Sequence, residues 1–394
     1  MLNRRILRVK AFQSLYAYSQ CKASNFNLAK DFISASFLPD LNSMEVQDKP
    51  QLKRDAGICM DLFVKNLDNN KLIAASEHST KIKSVAIKAV NQFHQACERD
   101  LEFLKNNMLT AVERIPQLYL SAIQMLIAFG DHVQNEDGRK KKLSRESIVG
   151  SVGELNLADN KILHYLKSTP QYEAAVIRHH AHINELEIEI KEWYREYVKP
   201  HEEYQEYLKI EQPSLEEDSA ILQTILKKII FKNDAILSYF YERDLSWSEN
   251  KPIVRSLAMK VLKNAEEIPE VENFTLPEIA INWEEDKEFF QNIFTLTVQN
   301  EEEYKDLIAH KTKNWDIERV ASTDKIIITM ALTEMANFPS IPTKVSINEY
   351  IDISKTYSTP KSKQFVNGLL DVLAKELTES GKIRKSGRGL LDNK

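Results

Sequence analysis

Four basic side chains, Arg4, Arg5, Arg8 and Lys10, stand within the first ten residues of this chain, and the first acidic residue is Asp31. At 100° per residue, Arg5, Arg8, Phe12 and Tyr16 gather on one helical arc, with Gln13 beyond them. The neighbouring arc carries Leu7, Ala11, Leu15 and Tyr18, an apolar seam suited to a core. Guanidinium groups pair with phosphates, amides read base edges, and flat rings offer faces on which unpaired bases stack. Cations and aromatics without carboxylates between them therefore suit a contact with single-stranded nucleic acid. The same residues would also make a solvated basic face whose rings pack on a neighbouring helix, and from this segment alone that plainer reading is favoured.

Other constellations are weaker. His179 and His182 with Glu185 and Glu189 could share a helix face and hold a metal, but no second histidine pair lies elsewhere, and a solvated helix is the better reading. The three cysteines, Cys21, Cys59 and Cys97, are odd in number and widely spaced. They fit neither a disulfide framework nor a zinc site and imply a reducing, cytoplasmic setting. None of the nine glycines lies between Gly153 and Gly368, which removes the phosphate-cradling loops of nucleotide enzymes from that span. No catalytic constellation, cofactor or metal is expected. The run Arg139, Lys140, Lys141, Lys142 and Arg145 reads as an exposed loop, an auxiliary phosphate contact at most.

The elements that must position these residues are all helical. With 394 residues, 43% of them hydrophobic, the chain can bury more than one core, and two helical lobes are expected. No run reaches the ~20 apolar residues of a membrane span, and no apolar leader marks export. The net charge of −5 is too mild for polyanion binding by bulk electrostatics. Helical patterns run through Leu2–Gln20, Phe26–Leu38, Asp48–Leu72, Ile82–Leu109 and a segment opened by Pro116. They continue through Leu155–Leu166, Tyr172–Glu211, Leu215–Phe231, Ala235–Tyr241, Ile253–Leu262 and Glu285–Lys311. The segment Ser380–Lys394, with three glycines and Lys382, Arg384, Lys385 and Arg388, reads as a disordered basic tail.

The stretch Trp315–Leu377 holds three helical patterns separated by sharp turns. The first begins near Ile317 and stops before Phe338-Pro339-Ser340-Ile341-Pro342, where proline forbids continuation. The second runs from about Lys344 to Tyr357, and the third follows Ser358-Thr359-Pro360. Gly368 interrupts the apolar stripe of the third and implies close approach of another backbone. Asp324 falls inside the apolar stripe of the first, so its carboxylate is either bonded within the protein or faces a partner.

The residues Ile317-Glu318-Arg319-Val320, Asp324-Lys325, Ala331-Leu332-Thr333-Glu334, Ile341-Pro342, Lys344-Val345, Ile347-Asn348-Glu349, Ser354-Lys355 and Phe365-Val366-Asn367-Gly368-Leu369-Leu370-Asp371 follow one another as in the NusB family, which this stretch resembles. Arg4-Arg5-Ile6-Leu7-Arg8-Val9-Lys10-Ala11-Phe12-Gln13-Ser14-Leu15-Tyr16 is similar to the family's first helix. The two parts stand over two hundred residues apart, so the chain looks like a long form with a large helical insertion. The expected division is 1–22, the basic helix of a NusB-like domain; 23–212, the insertion; 213–379, the NusB-like domain of packed helical subdomains; and 380–394, the tail.

The resemblance implies an all-α, non-enzymatic antitermination factor. Such a factor binds boxA single-stranded RNA of ribosomal RNA leaders together with NusE, a small-subunit ribosomal protein, and acts on the RNA polymerase elongation complex indirectly. Carried over by position, it implies RNA contacts at Arg4, Arg5, Arg8, Lys10, Gln13, Tyr16, Tyr357, Ser362, Lys363 and Phe365, and partner contacts at Asp324 and Glu334. Two other readings stand beside it: an RNA-binding relative of ribosomal RNA cytosine methyltransferases, and a protein-interaction scaffold.

Overall fold

The computed structural model describes residues 2–40, 42, 46–143, 153–267, 271–311 and 321–393, with only the backbone described for 138–143, 271 and 392–393. Among these the regular structure is helical throughout, without a strand. No described helix is long and apolar enough to cross a membrane. The chain forms two compact units, one of residues 1–6 and 109–287, the other of residues 7–108 and 288–394. This division cuts through both the expected insertion, 23–212, and the expected domain, 213–379.

In the first unit, α5 (Ile115–Leu143) packs on α12 (Trp247–Glu266) and α8 (Glu187–Trp193), with α6 (Lys161–Ser168), α7 (Pro170–Arg178), α9 (Glu202–Tyr207), α10 (Leu215–Thr224) and α11 (Asp234–Arg243) around them. Trp247, fully buried, stacks on Phe240 with ring centroids 4.4 Å apart. A buried polar cluster joins Tyr207, Asn160 and Asp218: the Tyr207 hydroxyl donates to Asp218 at 2.5 Å, and Asp218 accepts the Lys161 backbone N–H. Ser214 and Glu217 form a reciprocal capping box that starts α10.

Two expectations fail in this unit. The basic run does not begin in a loop, because α5 continues as helix through Leu143; residues 144 and 145 lie outside the described part. The expected helix Tyr172–Glu211 is broken at His179–Ile183, where His180 adopts a positive φ of 50°. His179 and His182 therefore share no helix face, and the geometry of a helical metal pair is lost.

The second unit holds α1 from Leu7 onward (the helix runs Arg4–Ser36 unbroken), α2 (Lys49–Lys65), α3 (Asn70–Ala75), α4 (Thr80–Glu113) through Met108, and α13 (Trp283–Gln299) from Glu288. It closes with α14 (Glu301–Lys311), α15 (Ser322–Asn337), α16 (Thr343–Tyr357) and α17 (Ser362–Glu379). The two expected N-terminal helices are thus one. Its distal half packs Ala29 and Ile33, with Phe37 just past its end, against Phe63 of α2 and Ala86, Val90 and Phe93 of α4.

At the other end of the unit, α15, α16 and α17 pack on one another. Trp315 and residues 312–320, where the first helical pattern was placed to begin, lie outside the described residues. The expected disordered tail is ordered instead. Ile383 is buried, Ser386 N–H bonds the Pro339 carbonyl at 3.0 Å, and a Cβ on Gly389 would collide with that same carbonyl. Glycine here permits a close backbone approach.

Candidate nucleic-acid interface

Around the second unit's α1, α15, α16 and α17, one carboxylate organises the packing. Glu334, near the C-terminal end of α15, is wholly buried and accepts four hydrogen bonds. Arg8 Nε and Nη2 donate at 2.7 and 2.8 Å, Ser346 Oγ at 2.7 Å and Tyr350 Oη at 3.0 Å. The guanidinium also lies over the Phe289 ring, 5.3 Å from its centroid. Burial works against the charge of Arg8, but the field and hydrogen bonds of Glu334 outweigh it and hold the proton more firmly than usual. Burial and the same carboxylate push the Tyr350 hydroxyl well above the ordinary phenol range.

This cluster corrects two expectations. Arg8 is 4% exposed, with its fork of donors spent on Glu334, so it serves the core instead of a phosphate. Glu334 faces no partner protein, because its lone pairs are filled from inside. Lys10 is likewise buried at 3%, away from the solvent that an RNA backbone would need. A sequence signal existed: a carboxylate flanked by Thr333 and Met335 in an apolar stripe demands a cation from elsewhere. Its other partners, Ser346 and Tyr350, are one helical turn apart on α16 and were missed.

A second polar knot sits where α15 starts and α16 hands over to α17. Ser362 Oγ donates to Asp324 Oδ2 at 2.7 Å and lies 3.0 Å from Ser358 Oγ and 2.8 Å from Thr359 Oγ1; Ser358 Oγ lies 2.8 Å from Thr323 Oγ1. Ser362 is 2% and Asp324 4% exposed. Both expected contacts are therefore internal braces, Ser362 for the turn and Asp324 for the first turn of α15, where a carboxylate meets the positive end of the helix dipole.

What remains outside is a smaller set. Tyr16 is 38% exposed, Gln13, Tyr357 and Phe365 are half-buried, and Lys363 is exposed. Phe12 of α1 meets the Tyr357 ring at 5.4 Å, and Gln13 Nε2 reaches the Tyr357 hydroxyl at 3.5 Å. These contacts tie α1 to the end of α16. Beside them opens a cleft of about 410 Å³ between α16 and α17, lined by Asn348, Asp352, Lys355, Lys363, Gln364 and Asn367. Gly368 is exposed, with open space where a Cβ would stand, so among the described residues no backbone packs on it, contrary to expectation.

In the first unit, Arg5 is exposed. Arg4 is part-buried and ion-paired to Glu285 and, at 2.9 Å, Asp286. Burial works against its charge, but the two carboxylates hold the guanidinium proton more firmly still. Across the described residues no group of three or more His, Cys, Asp or Glu side chains could hold a metal ion.

Comparison with known proteins gives a consistent picture. Residues 252–375 match the model of the NusB family. A transcription antitermination protein NusB of Chloroherpeton thalassium is 39% identical over 143 residues, 35% of this chain and 68% of the relative. The protein of that name from Salinibacter ruber is 40% identical over 105 residues, 27% of this chain and 66% of its own. That of Koribacter versatilis is 38% identical over 94 residues, covering 24% and 64%. No solved structure matches. With more than two thirds of one such relative covered at this identity, the chain belongs to the NusB family.

Proposed function

We propose that this protein is a transcription antitermination factor that binds boxA-type single-stranded RNA together with NusE. The observation that carries the RNA reading is the Phe12–Tyr357 contact, which sets the exposed Tyr16 ring, Gln13, Tyr357 and the exposed Lys363 around one junction of α1, α16 and α17. Rings for stacking, an amide for base edges and a cation for phosphate are what an unpaired strand requires. In this reading Tyr16, Gln13, Tyr357, Lys363 and Phe365 touch RNA, while Arg8, Lys10 and Ser362 only shape the surface. Arg5, and Arg4 once freed from its carboxylates, are additional phosphate contacts.

For the partner, Asp324 and Glu334 are replaced by an apolar groove of about 660 Å³ lined by Tyr18, Phe26, Ile308 and Ile326 and rimmed by Asp306 and the Lys22–Glu301 and Lys305–Glu302 ion pairs. The test is a titration with boxA RNA, with and without NusE. Tyr16→Ala and Phe365→Ala are each expected to weaken binding roughly 5- to 150-fold, the worth of one stacked base. Ile326→Arg should abolish the gain from NusE and spare binding by the protein alone. Unchanged affinity in both aromatic variants would sink the RNA site.

A further inference from the structure

The long helix α4 lies outside the family match at 252–375, and its outward face is rich in cations and amides. At helical spacing, Lys81, Lys88, Gln92, Gln95, Arg99 and Phe103 follow one stripe, and every one of them is exposed. From Lys81 to Phe103 the stripe spans about 33 Å at 1.5 Å per residue. Several surface lysines elsewhere are tied to carboxylates, as in Lys22–Glu301, Lys167–Asp131, Lys191–Glu187 and Lys287–Glu113.

The cations of α4 are held otherwise. Lys81 Nζ lies 5.1 Å from the centroid of the Phe37 ring and Lys88 Nζ 5.3 Å from that of Phe32, while Arg99 Nε donates to the Gln95 carbonyl within its own helix. None of the three pairs with a carboxylate among the described residues. A phenyl face positions an ammonium without neutralising it, so the charge stays available to an incoming anion. The nearby Asp100 accepts from Asn25 and Glu102 from Asn106, and neither carboxylate is within ion-pair distance of these three cations. Past the last cation, Phe103 stands 64% exposed, an aromatic face with nothing to bury it.

We propose that this stripe of α4 is a second binding track for single-stranded RNA, engaging nucleotides that flank the core element; the proposal rests on the RNA-binding reading above. Charge complementarity selects the occupant. Unneutralised cations alternating with amides suit phosphate and sugar oxygens, and a terminal ring suits an unpaired base. An acidic protein would need an apolar centre for its interface, and here the Phe32 and Phe37 rings are covered by the lysines.

The experiment compares a short boxA RNA with the same RNA extended by an oligo(U) tract, each titrated over a range of salt. The native chain is expected to bind the longer RNA roughly tenfold more tightly, with the slope of log affinity against log salt steeper by about 2, the value for three released counterions on a single strand. A Lys81→Glu, Lys88→Glu, Arg99→Glu variant should lose both increments and keep its affinity for the short RNA. A Lys81→Gln, Lys88→Gln, Arg99→Gln variant, milder for folding, should lose the slope increment as well. Retention of the increments in both variants, or no gain with length in the native chain, overturns the proposal. Binding of the extended RNA through α4 with none of the short one would sustain this track while defeating the core-site reading.

Discussion

Arg8→Ala should cost this protein stability and not RNA contacts. The substitution strips two charge-assisted hydrogen bonds, at 2.7 and 2.8 Å, from a carboxylate with no exposure to solvent. Ser346 and Tyr350 still donate to it, but neither carries a charge. Removing one partner of a buried ion pair costs about 3–5 kcal/mol. In a unit of this size that lowers the melting temperature by roughly 6–20 °C.

Adding Glu334→Gln to Arg8→Ala should recover about half of the loss, since the amide oxygen can still accept from Ser346 or Tyr350 and no charge stays buried. Urea denaturation followed by circular dichroism measures both variants. A salt titration of RNA affinity, run below the transition, completes the test. The slope should match that of the native chain, because no phosphate contact has been removed. A stability loss under about 1 kcal/mol together with a slope reduced by about 0.7 would show that Arg8 meets RNA and that the reasoning fails.

Three further outcomes follow from other parts of the second unit. Gly368→Ala fills open space on an exposed helix face and should stabilise by about 0.8–1 kcal/mol, whereas Gly389→Ala would drive a methyl into the Pro339 carbonyl and release the C-terminal segment, seen as new tryptic cleavage after Lys385 and Arg388. Burial pushes the Cys59 thiol up to about 11. At pH 8 only about one part in a thousand is thiolate, and that fraction rises as pH climbs toward 11. A thiol-reactive chromophore should therefore label the partly exposed Cys21 first and Cys59 only on unfolding.

The all-helical architecture was legible because apolar residues recur at spacings of three and four from Leu7 to Leu377. The proline turn at Pro339–Pro342 and the start of α5 at Ile115-Pro116 fell where proline chemistry puts them. Helix continuity was less legible. The polar stretch Gln20–Asn25 reads as a gap between helices, yet no proline or glycine interrupts it, and α1 runs straight through. The candidate site was half legible. Residue type and pattern marked Arg8 and Asp324, and the family resemblance added Glu334 and Ser362, but neither can tell an arginine aimed at phosphate from one aimed at a carboxylate 326 positions away. Gly368 and Gly389 show the same limit, since the exposed one looked buried and the packed one looked disordered.

The Arg8–Glu334 pair also sets a timetable. A ribosome adding about 5–20 residues per second makes Glu334 roughly 16–65 s after Arg8. For most of that interval the N-terminal guanidinium and the apolar seam of α1 are outside the exit tunnel without their native seats. The distal half of α1 fares differently, because α2 and α4 emerge early enough to cover Ile33 and Phe37. The nascent chain can therefore settle the far end of its first helix long before the near end. Until α15 arrives, the same arginine is a free cation on a tethered, half-docked helix. Chains released before residue 334 should expose that seam and be recognised by chaperones or proteases as unfinished.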